Sequence, residues 1–396
     1  MNPHVFLVAG EESGDRLGAA LIAAIRERTP GARFTAVGGT QMAAQGVASL
    51  FPLGDLAIIG FGAILGSLPN IARRIRETAE AVIATRPDVL VIIDSPEFTH
   101  RVARRVRARA PQIPVVDYVC PSVWAWRPGR ARAMRGYVDH VLALLPFEPD
   151  ALARLDGPPA TYVGHPLVEQ LGVLRPSPLE AARRLADPPM LLVLPGSRTA
   201  EIRRLAPVFG AALNEVQKRA GPLDVVVPAV PRLAEAVTNA VASWPLQARV
   251  VVGAAEKQAA FRQARAALTK SGTSTLELAL AGVPMVAAYK VSAIEEIIAR
   301  ALIRLSTVIL ANLVLGEDVV PEFLQRDCTP EKLAAALLPL LTDLPERRRQ
   351  IAAFAGLDAI FGSGHPSTKA AGVVLTYAEE QSGPAKEAVA SSPPTA

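Results

Sequence analysis

Two loops and one carboxylate carry the residue types that could do chemistry. Pro195-Gly196-Ser197-Arg198 follows a short apolar run and precedes a helical segment. A glycine turn, a hydroxyl and an arginine at a helix start form an anion site, because the first N–H groups lack partners and the dipole favours negative charge. The same residues also read as a plain cap. Lys270-Ser271-Gly272-Thr273-Ser274-Thr275-Leu276-Glu277 repeats the arrangement. The N–H groups of Gly272 and Thr273, with the nearby hydroxyls, can cradle a diphosphate. Glu277 can accept from ribose hydroxyls, or can close a capping box with Ser274. Neither loop fits G-x-x-x-x-G-K-S/T, so neither is a Walker loop. Two anion loops in one α/β domain point to a nucleotide.

The carboxylate is Asp94, where the apolar run 89–93 emerges into Asp94-Ser95-Pro96-Glu97-Phe98. An acid there serves either as a helix cap or as a positioned base. Gly10-Glu11-Glu12-Ser13-Gly14-Asp15 follows the first apolar run, and Ser13 and Asp15 are good N-caps. The alternative reading is a ligand loop. Cys120-Pro121-Ser122-Val123-Trp124-Ala125-Trp126-Arg127 holds two of the chain's three tryptophans. It reads as a core anchor with a surface arginine, or as the wall of a sugar or acyl site. Arg127, Arg130, Arg132 and Arg135 could meet a phosphate.

Short apolar runs alternate with amphipathic helical segments, which predicts βαβ units and parallel sheets. Strands are expected at 5–9, 34–37, 89–93, 115–119, 141–144 and 161–163, then at 190–194, 224–227, 249–252, 266–269 and 285–288. After that the chain reads as helical, ending in a helix over 366–380. Two doubly wound domains follow, 1–170 and 186–362, with a proline-rich join over 166–189. The segment 363–380 is expected to pack back on the first domain, and the Ser/Pro/Ala-rich tail 381–396 to be disordered. In such sheets ligands bind at the carboxyl ends of strands, where these loops lie.

The 396 residues are 50% hydrophobic and carry a net charge of +5. That mild excess suits a solvated arginine-rich surface, an anionic small substrate or anionic lipid. No basic block interleaves with aromatics, so nucleic acid is not expected. Cys120 and Cys328 have no metal-like spacing and fit a reducing compartment. The N-terminus lacks a basic leader region, so a cytoplasmic protein is expected. There is no Asp-x-Asp and no H-E-x-x-H, so neither a metal nor any other cofactor is expected. Gly60-Phe61-Gly62-Ala63-Ile64-Leu65-Gly66 has one residue too many for a dinucleotide fingerprint. Phe61, Ile64, Leu65, Leu68, Ile71, Ala72 and Ile75 fall at helical spacing, interrupted by Pro69 and followed by Arg73, Arg74 and Arg76. A second stripe is Ile294, Ile297, Ile298, Ala301, Leu302 and Leu305, beside Arg300 and Arg304. Each reads as a core face or as a lipid-facing wall with a basic rim.

Taken in order, these segments resemble the lipid-A-disaccharide synthases, a family of bacterial glycosyltransferases. The resemblance rests on Ala9 to Asp15, Val37-Gly38-Gly39 through Met42, Ile93 to Phe98, Pro121 to Trp126, Leu144-Leu145-Pro146-Phe147-Glu148 and Val163-Gly164-His165-Pro166. It continues through Leu194 to Arg198, Ser271 to Glu277 and Leu310-Ala311-Asn312-Leu313, covering roughly 4–378. It implies a GT-B fold: two Rossmann-like doubly wound domains with the active site in the cleft between them. It further implies that UDP-2,3-diacylglucosamine is joined to 2,3-diacylglucosamine 1-phosphate, giving a β-1,6 disaccharide 1-phosphate and UDP. By resemblance the base is Asp94, and Ser13, Arg198, Glu277 and Asn312 contact UDP, beside the loop Ser271-Gly272-Thr273. The chain would sit peripherally on the cytoplasmic face of the inner membrane, with room for a homodimer. Glu97 and Leu310-Ala311 depart from the family pattern, which often has Asp at the first and a proline before the Asn. Two other readings are a different GT-B UDP-sugar enzyme (a cell-wall GlcNAc transferase or a UDP-GlcNAc 2-epimerase) and a non-catalytic membrane-surface module.

Overall fold

The computed structural model describes residues 2–56, 63–292, 296, 307–362 and 364–382. The second stripe (294, 297, 298, 301, 302, 305) and the tail from 383 lie outside these residues, as does Phe61 of the first. The side chains of Ile64, Leu65 and Leu68 are likewise outside them.

The chain divides into two compact units, Met1–Pro166 with Gly364–Ala396, and Leu167–Ser363. The first unit contains β1 (His4–Ala9), β2 (Arg33–Val37), β3 (Val89–Ile93), β4 (Val115–Tyr118), β5 (His140–Ala143) and β6 (Ala160–Tyr162). They form one sheet in the order β2-β1-β3-β4-β5-β6, and every pairing is parallel. β1 and β3 are apolar along nearly their whole length because both faces of the sheet are covered. Val5, Leu7, Val91 and Ile93 face one core, together with Leu21, Ile22 and Ile25 of the helix Glu12–Arg28. The helix Pro366–Ser382 adds Ala370, Ala371, Val374 and Ala378 to the same core. Phe6, Val8, Leu90 and Ile92 face the other core, with Val102 and Val106 of the helix Thr99–Arg109. The alternation is the strand period of two.

The second unit contains β7 (Met190–Leu194), β8 (Asp224–Ala229), β9 (Ala248–Val252), β10 (Ala266–Lys270), β11 (Met285–Tyr289) and β12 (Glu322–Leu324). Its order is β12-β11-β10-β7-β8-β9, again all parallel. β12 corrects the expectation that only helix follows β11. Three residues at a sheet edge are too few to show a period, and only their pairing with β11 defines them.

The first stripe also changes character. The helix Ala63–Thr85 runs through Pro69 without ending. Among its described side chains, Ile75 is buried and Ile71 packs against the core, while Ala72 is exposed. Arg74 is no free rim charge: it lies over the Phe51 ring at 4.4 Å and pairs with Asp55 and Glu77.

Candidate active site

In each sheet the strand order reverses once. In the first the reversal lies between β1 and β3, in the second between β7 and β10. Diverging connections open a crevice at the carboxyl ends of such strands, and ligands bind there. Asp94 follows β3, and Arg198 and Ser271-Gly272-Thr273 follow β7 and β10.

At the first reversal, β1 and β3 emerge side by side. A Cβ on Gly10 would lie 2.5 Å from the Cβ of Ser95, so only glycine lets the two loops touch. Ser13 Oγ donates to Asp94 Oδ2 at 3.1 Å, and the Ser95 N–H donates to Asp94 Oδ1 at 2.7 Å. Asp94 and Ser95 have φ of +52° and +46°, a left-handed conformation that costs about 1–2 kcal/mol per non-glycine residue. Thr99 Oγ1 holds it by donating to the Asp94 carbonyl at 2.6 Å, and the Asp94 N–H donates to the Tyr118 carbonyl at 3.1 Å. The cap reading of Asp94 fails, since Phe98 is the N-cap of the next helix. The strained pair turns a half-exposed carboxylate into a cavity of about 170 Å³ shared with His100, Trp126, Arg127 and Arg130.

Neither Ser13 nor Asp15 caps its own helix: the N-cap position is Glu11, with no side-chain bond. Asp15 is buried and accepts from the N–H groups of Gly39 (2.7 Å), Gln41 (2.8 Å) and Met42 (3.1 Å). It therefore caps the helix Thr40–Ala44 across the chain.

The two tryptophans have separate roles. Trp124 Nε1 donates to Glu148 Oε1 at 3.2 Å, and its ring meets Phe147 edge-on at 5.1 Å. Glu148 Oε2 accepts from the N–H groups of Leu144 (3.0 Å) and Leu145 (2.9 Å). Burial pushes the Glu148 carboxyl up to about 7, against the opposing pull of those bonds. Trp126 turns outward at 37% exposure, with the Arg127 guanidinium 4.6 Å above its ring. Arg132 and Arg135 are exposed and do not line the cavity. Behind it, His100 Nε2 lies 3.1 Å from Asp117 Oδ2, and Nδ1 lies 3.1 Å from the Tyr137 hydroxyl. Burial raises the Asp117 pKa and the neighbouring His100 opposes that rise. Asp117 had a signal in the sequence, a carboxylate inside an otherwise apolar strand.

At the second reversal a buried acid joins the two loops. Gly196 has φ +137°, and a Cβ there would lie 2.5 Å from the Cβ of Glu201. Glu201 accepts from the Ser197 N–H (2.9 Å), Arg198 Nη1 (3.3 Å) and Lys270 Nζ (3.2 Å). Arg198 thus keeps one tether although its side chain is 76% exposed. The Ser271 Oγ is buried and has no hydrogen-bond partner among the described residues. Thr273 is the N-cap residue of the helix Ser274–Leu280. Glu277 makes no capping box with Ser274: it accepts from Lys257 Nζ at 2.6 Å. Asn312 is buried, and its carboxamide holds a turn, donating to the Val320 carbonyl (2.9 Å) and accepting from the N–H groups of Val319 (3.2 Å) and Val320 (2.9 Å).

The family model described as lipid-A-disaccharide synthetase matches residues 5–357. The chain belongs to the lipid-A-disaccharide synthase family. The lipid-A-disaccharide synthase of Nitrobacter hamburgensis is 64% identical over 383 residues, covering 96% of this chain and 97% of that one. That of Bradyrhizobium diazoefficiens is 60% identical over 374 residues, covering 94% and 95%. Among solved structures, the UDP-GlcNAc 2-epimerase of Neisseria meningitidis matches with TM-score 0.63 at 14% identity, covering 94% of this chain and 100% of that chain. The Acinetobacter baumannii MurG structure matches with TM-score 0.56 at 16% identity, covering 94% and 99%. At such identities these likenesses speak to architecture alone, and the architecture is GT-B: two Rossmann-like units, each with a six-stranded parallel sheet. No helix among the described residues of this lipid-A-disaccharide synthase family member is long and apolar enough to cross a membrane.

Proposed function

We propose that this chain joins UDP-2,3-diacylglucosamine to 2,3-diacylglucosamine 1-phosphate, forming the β-1,6 disaccharide 1-phosphate and UDP. The acceptor's 6-hydroxyl oxygen bonds to the anomeric carbon of the donor. The bond from that carbon to the UDP oxygen breaks, and its electron pair leaves on UDP. The hydroxyl proton passes to Asp94 and then to water. Attack from the face opposite UDP turns an α linkage into a β linkage.

The observation that carries this reading is the family match over residues 5–357, with Asp94 at one strand-order reversal and two cationic loops at the other. Asp94 is fixed by Ser13 and Ser95, so little reorganisation opposes proton transfer. In this reading Arg198, Lys270, the Ser271 hydroxyl and the N–H groups of Gly272 and Thr273 take the diphosphate and the charge that grows on it, the Ser271 N–H being donated to the Ala288 carbonyl. Glu277 takes the ribose hydroxyls beside Lys257. Asn312 acts through the turn it holds at Val319 and Val320. Ser13 orients Asp94, and in this reading it also contacts UDP. No cofactor enters the scheme, and acylated substrates place the enzyme peripherally at the cytoplasmic face of the inner membrane. The test is UDP release with the diacylated donor and acceptor, with UDP-GlcNAc as control donor. UDP and a β-1,6 disaccharide are expected from the acylated pair alone. Equal release from UDP-GlcNAc, or epimerisation of it, would overturn the reading.

A further inference from the structure

Beside Asp94, the same cavity holds two arginines that the scheme above does not use. Arg130 is largely buried, its side chain 17% exposed, so its charge is not fully hydrated. Its ion-pair partner, Glu97, lies 3.5 Å away, is 67% exposed and is shared with Arg101 at 3.2 Å. That is a weak, solvent-screened pairing. Arg127 makes no ion pair with a described residue. Its guanidinium stacks over Trp126, and its backbone sits at φ +52°. Stacking of this kind orients the planar fork and leaves its N–H edge free for an anion. The cavity thus presents a carboxylate, the stacked guanidinium of Arg127, the weakly paired guanidinium of Arg130 in the field of buried Asp117, and an exposed tryptophan.

We propose that Arg127 and Arg130 bind the phosphate of the acceptor sugar, making this cavity select a phosphorylated acceptor. The inference rests on the reading of Asp94 as the acceptor's base. In that acceptor the 6-hydroxyl (through C6 on C5) and the anomeric phosphate (on C1) are carried by the two carbons that flank the ring oxygen, on one edge of the pyranose. A sugar beside Trp126 can turn that edge into the cavity, its hydroxyl to Asp94 and its phosphate to the arginines, whose charge offsets the phosphate next to the carboxylate. Two guanidinium groups on one phosphate give charge-assisted, directional hydrogen bonds, and an acceptor lacking the phosphate would leave both unmatched. The selection would then come from these side chains and not from the acyl chains.

The test measures binding separately from turnover. Equilibrium binding of 2,3-diacylglucosamine 1-phosphate and of its dephosphorylated counterpart, both in detergent micelles, is compared for the wild type, Arg127→Ala, Arg130→Ala and Arg130→Lys. Each alanine variant should weaken the phosphorylated ligand roughly 10–100-fold, the usual range for a charged hydrogen bond, and the dephosphorylated one by less than about threefold on the same scale. Arg130→Lys should recover part of the loss, which a packing defect would not allow. The UDP dissociation constant should not move. Equal losses for the two ligands, or no loss for either, would overturn the proposal. If the wild type prefers the phosphorylated ligand through these arginines yet releases no UDP, the reaction assigned above fails while the phosphate site stands.

Discussion

The two strand-order reversals share a topology and differ in what each sheet delivers to it. At the end of β3 the chain spends backbone strain, at Asp94 and Ser95, to aim one carboxylate that two neighbours hold. At the ends of β7 and β10 it buries a carboxylate, Glu201, to hold two cations, with Arg198 reaching into solvent at 76% exposure against 6% for the acid. The first arrangement suits a group that must take a proton from one fixed direction. The second suits a leaving anion, whose charge is met by donors already in place. Each unit therefore sets an acid among cations, but one aims the carboxylate outward and the other buries it to hold an exposed arginine, so the emerging residues set the chemistry, not the sheet.

The largest effect expected from breaking this contrast is at Asp94. Asp94→Asn keeps an oxygen for the Ser95 N–H and offers its NH2 group to the Ser13 hydroxyl, but it cannot take the proton. Its kcat should fall about 10²–10⁴-fold, the range for loss of a general base, while the UDP dissociation constant and melting temperature stay near wild type. Turnover within a few-fold of wild type would remove the base from this loop.

Arg198→Ala tests the other side of the comparison. It should raise the UDP dissociation constant about 10–100-fold, by loss of a charge-assisted hydrogen bond, and calorimetric titration with UDP would read this directly. The contrast sharpens if Asp94→Asn leaves that constant alone. An unchanged constant in Arg198→Ala would take the nucleotide away from this loop.

The parts of both sites that lie along the chain were legible in the sequence. The run 89–93 and the loops at 195–198 and 270–277 combine an apolar strand with local turn chemistry, and both signals are short-range. The split of the aromatic loop into an inward Trp124 and an outward Trp126 was not legible, since Glu148, 24 residues on, decides it. Asp15 looked like a local cap because Asp favours that role, yet its partners begin 24 residues away at Gly39. Glu201 lies 69 residues from Lys270, and Lys257 lies 20 from Glu277. Such pairings exist only once the parallel sheet brings the loops together, so residue type alone could name Glu277 but not its partner.

The smallest effect on turnover is expected at Glu148, and it separates the two units in another way. Glu201 is buried with Arg198 and Lys270 as cationic partners, whereas Glu148 is buried with only N–H donors, from Leu144, Leu145 and Trp124. Its folded pKa of about 7 lies above the ordinary 4.5. Between those values the folded chain binds more protons than the unfolded chain, so stability falls as pH rises through the window and levels off above about 7. The slope from this one group is at most about 1.4 kcal/mol per pH unit. Glu148→Gln should lose that component, so its melting temperature should change less than that of the wild type between pH 5 and pH 8. It can no longer accept from every donor, so it should start from a lower melting temperature at pH 5. Parallel melting curves for the two proteins across that range would mean that the titrating group is not Glu148. The aromatic loop would then be held by packing of Trp124 on Phe147, and a Phe147→Ala variant would show the larger loss.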